Sequence, residues 1–136
     1  MSKTENGDIA EKLLAAMRQG ADPDAIAALF SYDMEFEIPG DDGALPWLGR
    51  KTTGRAVITG FVRGLRNLTE PVKFNVQDLL TSDTQAVIVG ELATRMKATG
   101  KVVESPFAII LTISDGKISR YRMLEDSFSV SRVAKA

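Results

Sequence analysis

The sequence predicts an α+β domain in which helices cover one face of a mostly antiparallel sheet. Apolar residues recur at helical spacing in the first half of the chain, and four long runs in the second half have the character of strands. Short turn sequences such as Asp115-Gly116 separate these runs. Strands joined by tight turns pair as antiparallel neighbours. The helices need a surface on which to bury their apolar faces, and we expect them to lie together against the concave face of a strongly curved sheet.

Composition limits the chemistry. The chain has 136 residues and a net charge of −1, which fits one domain without a basic stripe for nucleic acid. It has no long apolar run and no signal-peptide pattern, which predicts a soluble, cytoplasmic protein away from membranes. It also lacks cysteine and histidine, so catalysis would need carboxylates, Tyr, Lys, Arg or water. We expect neither a metal nor a cofactor. The composition is nevertheless compatible with a cofactor that binds from outside.

The N-terminal region predicts two short helices. Residues 1–7 are polar and are expected to form a disordered tail. Apolar residues then recur at helical spacing over 8–19, with Asp8 as the expected N-cap and Gly20 as the stop. The pair Asp22-Pro23 predicts the cap and first turn of a second helix.

The next segment predicts a strand, a long loop and the longest helix of the core. Met34–Ile38 alternates apolar and acidic residues, as a half-buried strand does. The loop 39–54 contains the apolar cluster 45–48, which is typical of a lid or binding loop. Thr53 is the expected cap of a helix over 54–68.

The rest of the chain predicts four strands and a short tail. The strands are expected over 72–80, 85–97, 103–114 and 117–126, and 131–136 is expected to be a tail. A single domain over 8–130 is therefore predicted.

The helix-to-strand run Ala21–Gly40 and the hairpin within 107–126 together resemble the nuclear-transport-factor-2-like superfamily, most closely its SnoaL-like branch. Polyketide cyclases, ketosteroid isomerase and limonene epoxide hydrolase are relatives, and the resemblance extends from Ile9 to Val130. It implies a cone-shaped curved sheet wrapped around the long helix and enclosing a pocket. It also implies a homodimer formed through the outer sheet face, for which the predicted residues are Val87, Val89, Glu91, Ala93, Arg95, Ala108 and Ile110.

Strand alternation assigns side chains to the inner face of the implied cone, provided that the register is right. The inner sets are Met34, Phe36 and Ile38; Gly90, Leu92, Thr94 and Met96; Ser105, Phe107, Ile109 and Leu111; and Ser119, Tyr121, Met123 and Glu125. A small hydrophobic molecule is the expected partner. Its pocket is predicted from Met17, Phe36, Ile38, Trp47, Leu92, Thr94, Met96, Phe107, Ile109 and Met123.

The catalytic groups of the named relatives do not carry over to this chain. The corresponding positions are Leu14, Ile38 and Ile109 for ketosteroid isomerase, Leu92, Thr94 and Met123 for limonene epoxide hydrolase, and Met123 for the SnoaL-type cyclases. None of these residues is a carboxylate, tyrosine or arginine, so the resemblance implies the fold and not the reaction.

Two other residues are the catalytic candidates. Glu125 is the candidate acid or base, because apolar neighbours raise a carboxyl pKa; the alternative is an exposed carboxylate at a strand end. Tyr121 is the candidate donor to a ligand carbonyl; the alternative is ordinary packing. Trp47 would either close over a ligand or plug the space under its loop. Asp126 is expected to cap the C-terminal turn.

Three functions fit these residues. The first is an isomerase- or cyclase-like enzyme acting on a polycyclic or carbonyl compound through Glu125 and Tyr121. The second is a non-catalytic module that binds such a compound. The third is a dimeric interaction domain whose pocket is filled by its own side chains.

Overall fold

The computed structural model describes residues 2–135 and has the predicted α+β class. Its elements, in chain order, are α1 Lys3–Arg18, α2 Pro23–Ala27, β1 Phe30–Glu37, β2 Lys51–Thr53, α3 Ala56–Leu68, β3 Thr69–Thr81, β4 Gln85–Met96, β5 Val102–Ser114, β6 Lys117–Glu125 and α4 Ser127–Lys135. None of the helices within these residues combines the length and the apolar character that crossing a bilayer requires.

One curved, unclosed sheet contains all six strands. The strand order is β2-β1-β6-β5-β4-β3, so the last four strands form the predicted meander. Neighbours are antiparallel except β1 and β6, which run parallel with Phe36 opposite Tyr121. This pairing brings the N-terminal strand β1 beside the C-terminal strand β6, and both strands border the cavity of the protein.

Irregularities in strand pairing accompany the curvature. The register of β3 against β4 shifts between Pro71 and Lys73 and again between Val76 and Asp78. Such bulges bend a strand and increase its twist. Helix α3 packs its apolar stripe against the core, where Ile58 and Val62 are buried.

The predicted turn chemistry is confirmed. Asp115 and Gly116 both have positive φ, 51° and 77°, as a two-residue hairpin turn of type I′ requires. Gly20 has φ of 68° just after α1, and the Asp22 side chain accepts a hydrogen bond from the Asp24 N–H at 2.8 Å at the start of α2. The stop of α1 and the cap of α2 are therefore made by the residues that the sequence indicated.

The N-terminal prediction is wrong over residues 2–7, and Met1 lies outside the described residues. Helix α1 begins at Lys3, and its cap is Ser2, whose hydroxyl accepts from the Glu5 N–H at 3.1 Å. Asp8 therefore lies inside the helix. Asn6 is fully buried and donates its side-chain amide to the carbonyl of Ser82 at 2.9 Å. Ser2 and Glu5 have the spacing of a capping box, and the tertiary bond of Asn6 holds the first turn against the sheet.

The expected tail at 131–136 is helical as far as Lys135, and Ala136 lies outside the described residues. Helix α4 buries Val130, while Asp126 accepts from the N–H of Ser129 at 3.1 Å and from its hydroxyl at 2.7 Å. The capping role predicted for Asp126 is thus confirmed. The helix it begins was not predicted, because it has few apolar residues.

Two further element boundaries differ from the prediction. The short strand β2 lies within the expected loop 39–54 and pairs with β1. Arg55 rather than Thr53 precedes α3. Its guanidinium donates to the carbonyl of Phe30 through Nε at 3.0 Å and Nη2 at 2.7 Å, which ties the helix start to β1.

The inner-face assignment holds on β1, β4 and β5, where the expected residues are buried or half-buried. Ser119 on β6 is the exception. Thr112 pairs with Arg120 and Ile113 with Ile118, so Ser119 is an extra residue in a bulge and Ile118 takes the inner position. Beyond the bulge, Tyr121 again faces inward.

Candidate functional site

A cavity of about 430 Å³ lies between the concave face of the sheet, helices α1 and α3, and the loop that follows β1. Its lining is predominantly apolar and comes from every layer of the fold. Eight of the ten residues predicted for the pocket line this cavity: Met17, Ile38, Trp47, Leu92, Thr94, Met96, Ile109 and Met123. The cavity has the size and composition of small-molecule sites in proteins.

Phe36 and Phe107, which were also predicted for the pocket, are buried but are not among the residues that line this cavity. Phe36 stacks on Tyr121, with ring centroids 5.3 Å apart and planes 8° apart. Phe107 stacks on Phe74 at 4.7 Å. The partner rings, Tyr121 and Phe74, line the cavity instead. Both members of each pair lie on the inner side of the sheet, but only one ring of each pair reaches the open space.

Glu125 lines the cavity at the C-terminal end of β6 and is half-buried. Burial, with a smaller contribution from the nearby negative charge of Asp126, raises the pKa of its carboxyl from 4.5 to about 7. No donor among residues 2–135 makes a hydrogen bond to this carboxylate. The carboxyl group therefore faces apolar surroundings and is available to a bound molecule.

Tyr121 lines the same cavity and is buried. Burial raises the pKa of its phenol well above the usual range, and the charge of Glu125 adds to this effect. The hydroxyl therefore stays protonated and remains a hydrogen-bond donor. Its partner is the sulfur of Met123 at 3.8 Å, a weak acceptor that a ligand oxygen can replace.

The two candidate groups face one space from the same strand. Tyr121 and Glu125 are four residues apart, which corresponds to roughly 13 Å between α-carbons at about 3.3 Å per residue. Met123 lies between them on the same face. Both side chains therefore border the space that a bound molecule would occupy.

Trp47 contributes a wall from the loop between β1 and β2. Its indole meets Phe61 edge-on, with centroids 5.6 Å apart and planes 76° apart. The loop is held by a bond from the Gly49 N–H to the carbonyl of Ile38 at 3.0 Å. Gly49 has φ of 89°, and a side chain there would meet the backbone of Asp42 at 2.6 Å. Trp47 is half-buried, so it both packs on the core and borders the cavity.

Helix α3 provides much of the lining that the sequence did not assign to the pocket. Phe61, Leu65 and Arg66 all border the cavity. The sequence predicted this helix without assigning its side chains to the pocket. Arg66 lies four residues after Val62 and therefore shares the apolar face of the helix, which is the available signal. Val130 also lines the cavity and was missed because α4 was not predicted.

Acidic side chains of β1 and of the loop that follows it have structural partners. Asp42 pairs with Arg50 at 2.8 Å, and Asp41 pairs with Lys135. Glu37 pairs with Arg122 across β1 and β6 at 3.2 Å. Within residues 2–135 no group of three or more histidine, cysteine, aspartate or glutamate side chains is arranged to hold a metal ion.

Comparison with known proteins identifies the fold. The family model for the SnoaL-like domain matches residues 10–121. An NTF2-like protein from Burkholderia xenovorans LB400 superimposes with a TM-score of 0.86 at 22% identity, covering 98% of both chains. No curated protein sequence matches significantly.

Two further structures have names that suggest activities. A protein proposed to be an isomerase, from Bacillus subtilis, has a TM-score of 0.79 at 18% identity and covers 98% of this chain and 95% of its own. A protein proposed to be a polyketide cyclase, from Xanthomonas campestris pv. campestris, has a TM-score of 0.77 at 15% identity, covering 98% and 99%. At these identities the likeness shows the fold alone, and it confirms the predicted cone.

Proposed function

The chain belongs to the SnoaL-like domain family, and on that premise we propose that it binds a small, largely apolar carbonyl compound in the cavity and transfers a proton on it through Glu125. The single observation that supports this most is the position of the Glu125 carboxyl in an apolar cavity, where its pKa is raised to about 7. A base whose pKa lies near the working pH is the most effective in proton transfer.

The reaction begins at a carbon next to the ligand carbonyl. The Glu125 carboxylate takes a proton from that carbon, and the C–H electron pair moves into the carbonyl to give an enolate. The Tyr121 hydroxyl donates a hydrogen bond to the enolate oxygen in place of its bond to Met123. Where a carbon–carbon double bond adjoins the deprotonated carbon, the enolate is a dienolate, and the protonated Glu125 returns the proton to the far carbon of that double bond, which shifts the double bond into conjugation with the carbonyl and completes an isomerisation.

The environment of each group supports its role. Tyr121 holds its proton firmly, so it stabilises the oxygen by hydrogen bonding rather than by proton loss. Phe36 stacks on its ring and fixes its direction. The apolar walls exclude water, which strengthens both interactions.

A non-catalytic binding module is the second candidate. It is favoured by the apolar residues at the positions where the named relatives carry their catalytic groups, such as Ile38 and Ile109. It requires the same cavity, so both functions predict binding and only one predicts turnover. The open volume of about 430 Å³ favours either function over a domain filled by its own side chains.

The test uses β-tetralone, a bicyclic ketone with acidic carbons beside its carbonyl. Exchange of these protons for deuterium is followed by NMR, with and without protein. We expect exchange above the buffer rate, reduced by about 100-fold or more in Glu125→Gln and by a comparable factor in Tyr121→Phe. Glu11→Gln is the control, because Glu11 is an exposed side chain on α1.

The outcomes separate the candidates. Exchange that is equal in the wild type and Glu125→Gln would rule out Glu125 as the base. Binding of β-tetralone without exchange would favour the non-catalytic module. Native mass spectrometry of the gently purified protein, followed by denaturing extraction, would identify any molecule that it retains.

A further inference from the structure

The cavity has a charged sector within its apolar lining. Three cationic residues border it, Arg18 from the last turn of α1, Arg66 from the last turn of α3 and Lys73 from β3. Among residues 2–135, Glu125 is the only acidic residue that lines the cavity. A cavity that is otherwise suited to an apolar body therefore has positive charge on part of its wall.

This sector lies where the cavity meets solvent. Of the lining residues, only Arg18, Pro71 and Lys73 are exposed, and two of these three are cations. Arg66 is half-buried. Arg18 and Lys73 therefore border the mouth, whereas Tyr121 is buried within the cavity.

The three cations differ in the partners they already have. The ammonium of Lys73 lies 3.3 Å from a carboxylate oxygen of Glu91, so its charge is partly satisfied. Neither Arg18 nor Arg66 forms an ion pair within residues 2–135. One terminal nitrogen of Arg66, Nη2, is buried and has no hydrogen-bond acceptor among these residues.

A purely structural role does not account for Arg66. A cation in the last turn of a helix interacts favourably with the helix dipole, and Arg18 and Arg66 both hold that position. That interaction requires no burial of the guanidinium. A buried donor without an acceptor destabilises a protein, unless a partner supplies the missing bond.

We propose that Arg66, assisted by Arg18, binds the carboxylate of a ligand whose remaining body is apolar. The guanidinium presents paired N–H groups that match the two oxygens of a carboxylate. The ligand is held with its carboxylate at the mouth and its apolar part against the inner walls. This inference rests on the proposed binding of an apolar molecule in the cavity and adds the chemical class of that molecule.

The orientation has a consequence for the proposed reaction. A carboxylate held at the mouth directs the opposite end of the ligand inward, toward Tyr121. The substrate class is then an apolar keto acid, with its carbonyl distant from its carboxylate. Arg66 is a positioning residue in this arrangement and takes no part in proton transfer.

The experiment measures the binding of adamantaneacetic acid and its primary amide, which share one rigid apolar body. Trp47 is the only tryptophan of the chain and lines the cavity, so its fluorescence reports binding of these non-absorbing compounds. We expect the acid to bind more tightly than the amide. Arg66→Gln should weaken acid binding by about 10- to 100-fold and leave amide binding unchanged.

Arg63→Gln is the matched control. Arg63 is an exposed residue one turn earlier on α3 and does not line the cavity. Both substitutions remove one positive charge from α3, so a general electrostatic effect would weaken acid binding equally in the two variants. Arg66→Lys should retain part of the preference for the acid, because the charge remains while the paired geometry is lost.

Equal affinity of the wild type for acid and amide would overturn the carboxylate site, as would an equal loss in Arg66→Gln and Arg63→Gln. In both cases amide binding would leave the proposed apolar cavity function standing. If neither compound bound, the result would count against both proposals. If the amide bound and β-tetralone exchange depended on Glu125 without any preference for the acid, only the carboxylate site would fail.

Discussion

The indole of Trp47 lies against Gly64 of α3, so closely that a methyl group on this glycine would come within 3.1 Å of a ring carbon. Gly60 lies one turn earlier on the same helix, and a methyl group there would meet no atom within 4 Å. Both glycines weaken the helix intrinsically. Only Gly64 has a packing reason, which is to admit the loop residue that borders the cavity.

Alanine at the two positions should therefore differ in its effect on stability. Gly60→Ala should raise the free energy of unfolding by about 0.5–1 kcal/mol, because it improves helix propensity without a contact. Gly64→Ala should be less stable than Gly60→Ala by about 1 kcal/mol or more, because the indole must move. Urea unfolding measures both values.

The fluorescence of Trp47 provides an independent check of this contact. Its emission should change in Gly64→Ala and stay as in the wild type in Gly60→Ala. Equal stability and equal emission in the two variants would show that Trp47 does not pack on Gly64.

Gly90 in β4 should be difficult to replace. A side-chain carbon at this position would lie 1.9 Å from the carbonyl oxygen of Asn75 on the neighbouring strand. Backbone cannot yield as a flexible side chain does, so β3 and β4 would have to separate. Gly90→Ala should lower the free energy of unfolding by about 2 kcal/mol or more, measured by urea unfolding. A loss as small as that of an exposed substitution would contradict the close approach of these strands.

The alternation of β4 and β5 was predictable because a strand changes face at every residue. Leu92 and Ile109 were placed on the inner face for this reason, and both line the cavity. Alternation gives the face of a residue but not its depth. Phe36 and Phe107 have the predicted direction, yet Tyr121 is the cavity-lining ring of the Phe36 stack.

Features that depend on tertiary contacts were not predictable in the same way. The bulge at Ser119 changes the register without a mark in the sequence. The first turn of α1 is held by the bond from Asn6 to Ser82, 76 residues away. Arg66 appears in sequence as an ordinary cation at a helix end, and only the fold shows that one of its nitrogens is buried.

Asp126 and Glu125 are adjacent but should respond differently to substitution. Asp126 accepts two hydrogen bonds from Ser129, which hold the pKa of its carboxyl below the ordinary value. Asp126→Ala should lower the melting temperature by a few degrees through loss of the α4 cap, while Asp126→Asn keeps an acceptor and should lose less. Both variants should retain the deuterium exchange of β-tetralone. If exchange fell as much in Asp126→Asn as in Glu125→Gln, the assignment of Glu125 as the base would be wrong.

We expect a homodimer formed through the outer sheet face. Val87, Val89, Ala108 and Ile110 are half-buried there, and Leu124 is 38% exposed. Contiguous apolar side chains on a sheet surface favour association with a second copy. Sedimentation at micromolar concentrations should give a dimer, which Ile110→Lys should weaken. Tyr32→Lys is the control, because Tyr32 is a surface aromatic that is 83% exposed. A wild-type monomer throughout that range would refute the dimer.

The pH dependence of stability tests the environment of Glu125 without a substrate. Its carboxyl has a pKa of about 7 in the folded protein, against an ordinary value of 4.5. The folded state therefore binds the proton more tightly than the unfolded chain between these two pH values. The contribution of Glu125 to the free energy of unfolding must then fall as the pH rises from about 4.5 to about 7, and remain constant above that.

Glu125→Gln removes this contribution while keeping the shape of the side chain. Above pH 7, the variant should be more stable than the wild type by on the order of 2 kcal/mol, after allowance for the partial exposure of the group. The difference should shrink toward the acid side, where the wild-type carboxyl is neutral as well. Urea unfolding of both proteins across this range provides the measurement, and Glu11→Gln should run parallel to the wild type. If the difference between Glu125→Gln and the wild type were independent of pH, the carboxyl would titrate as an ordinary surface group, and its proposed role as the base would lose its physical support.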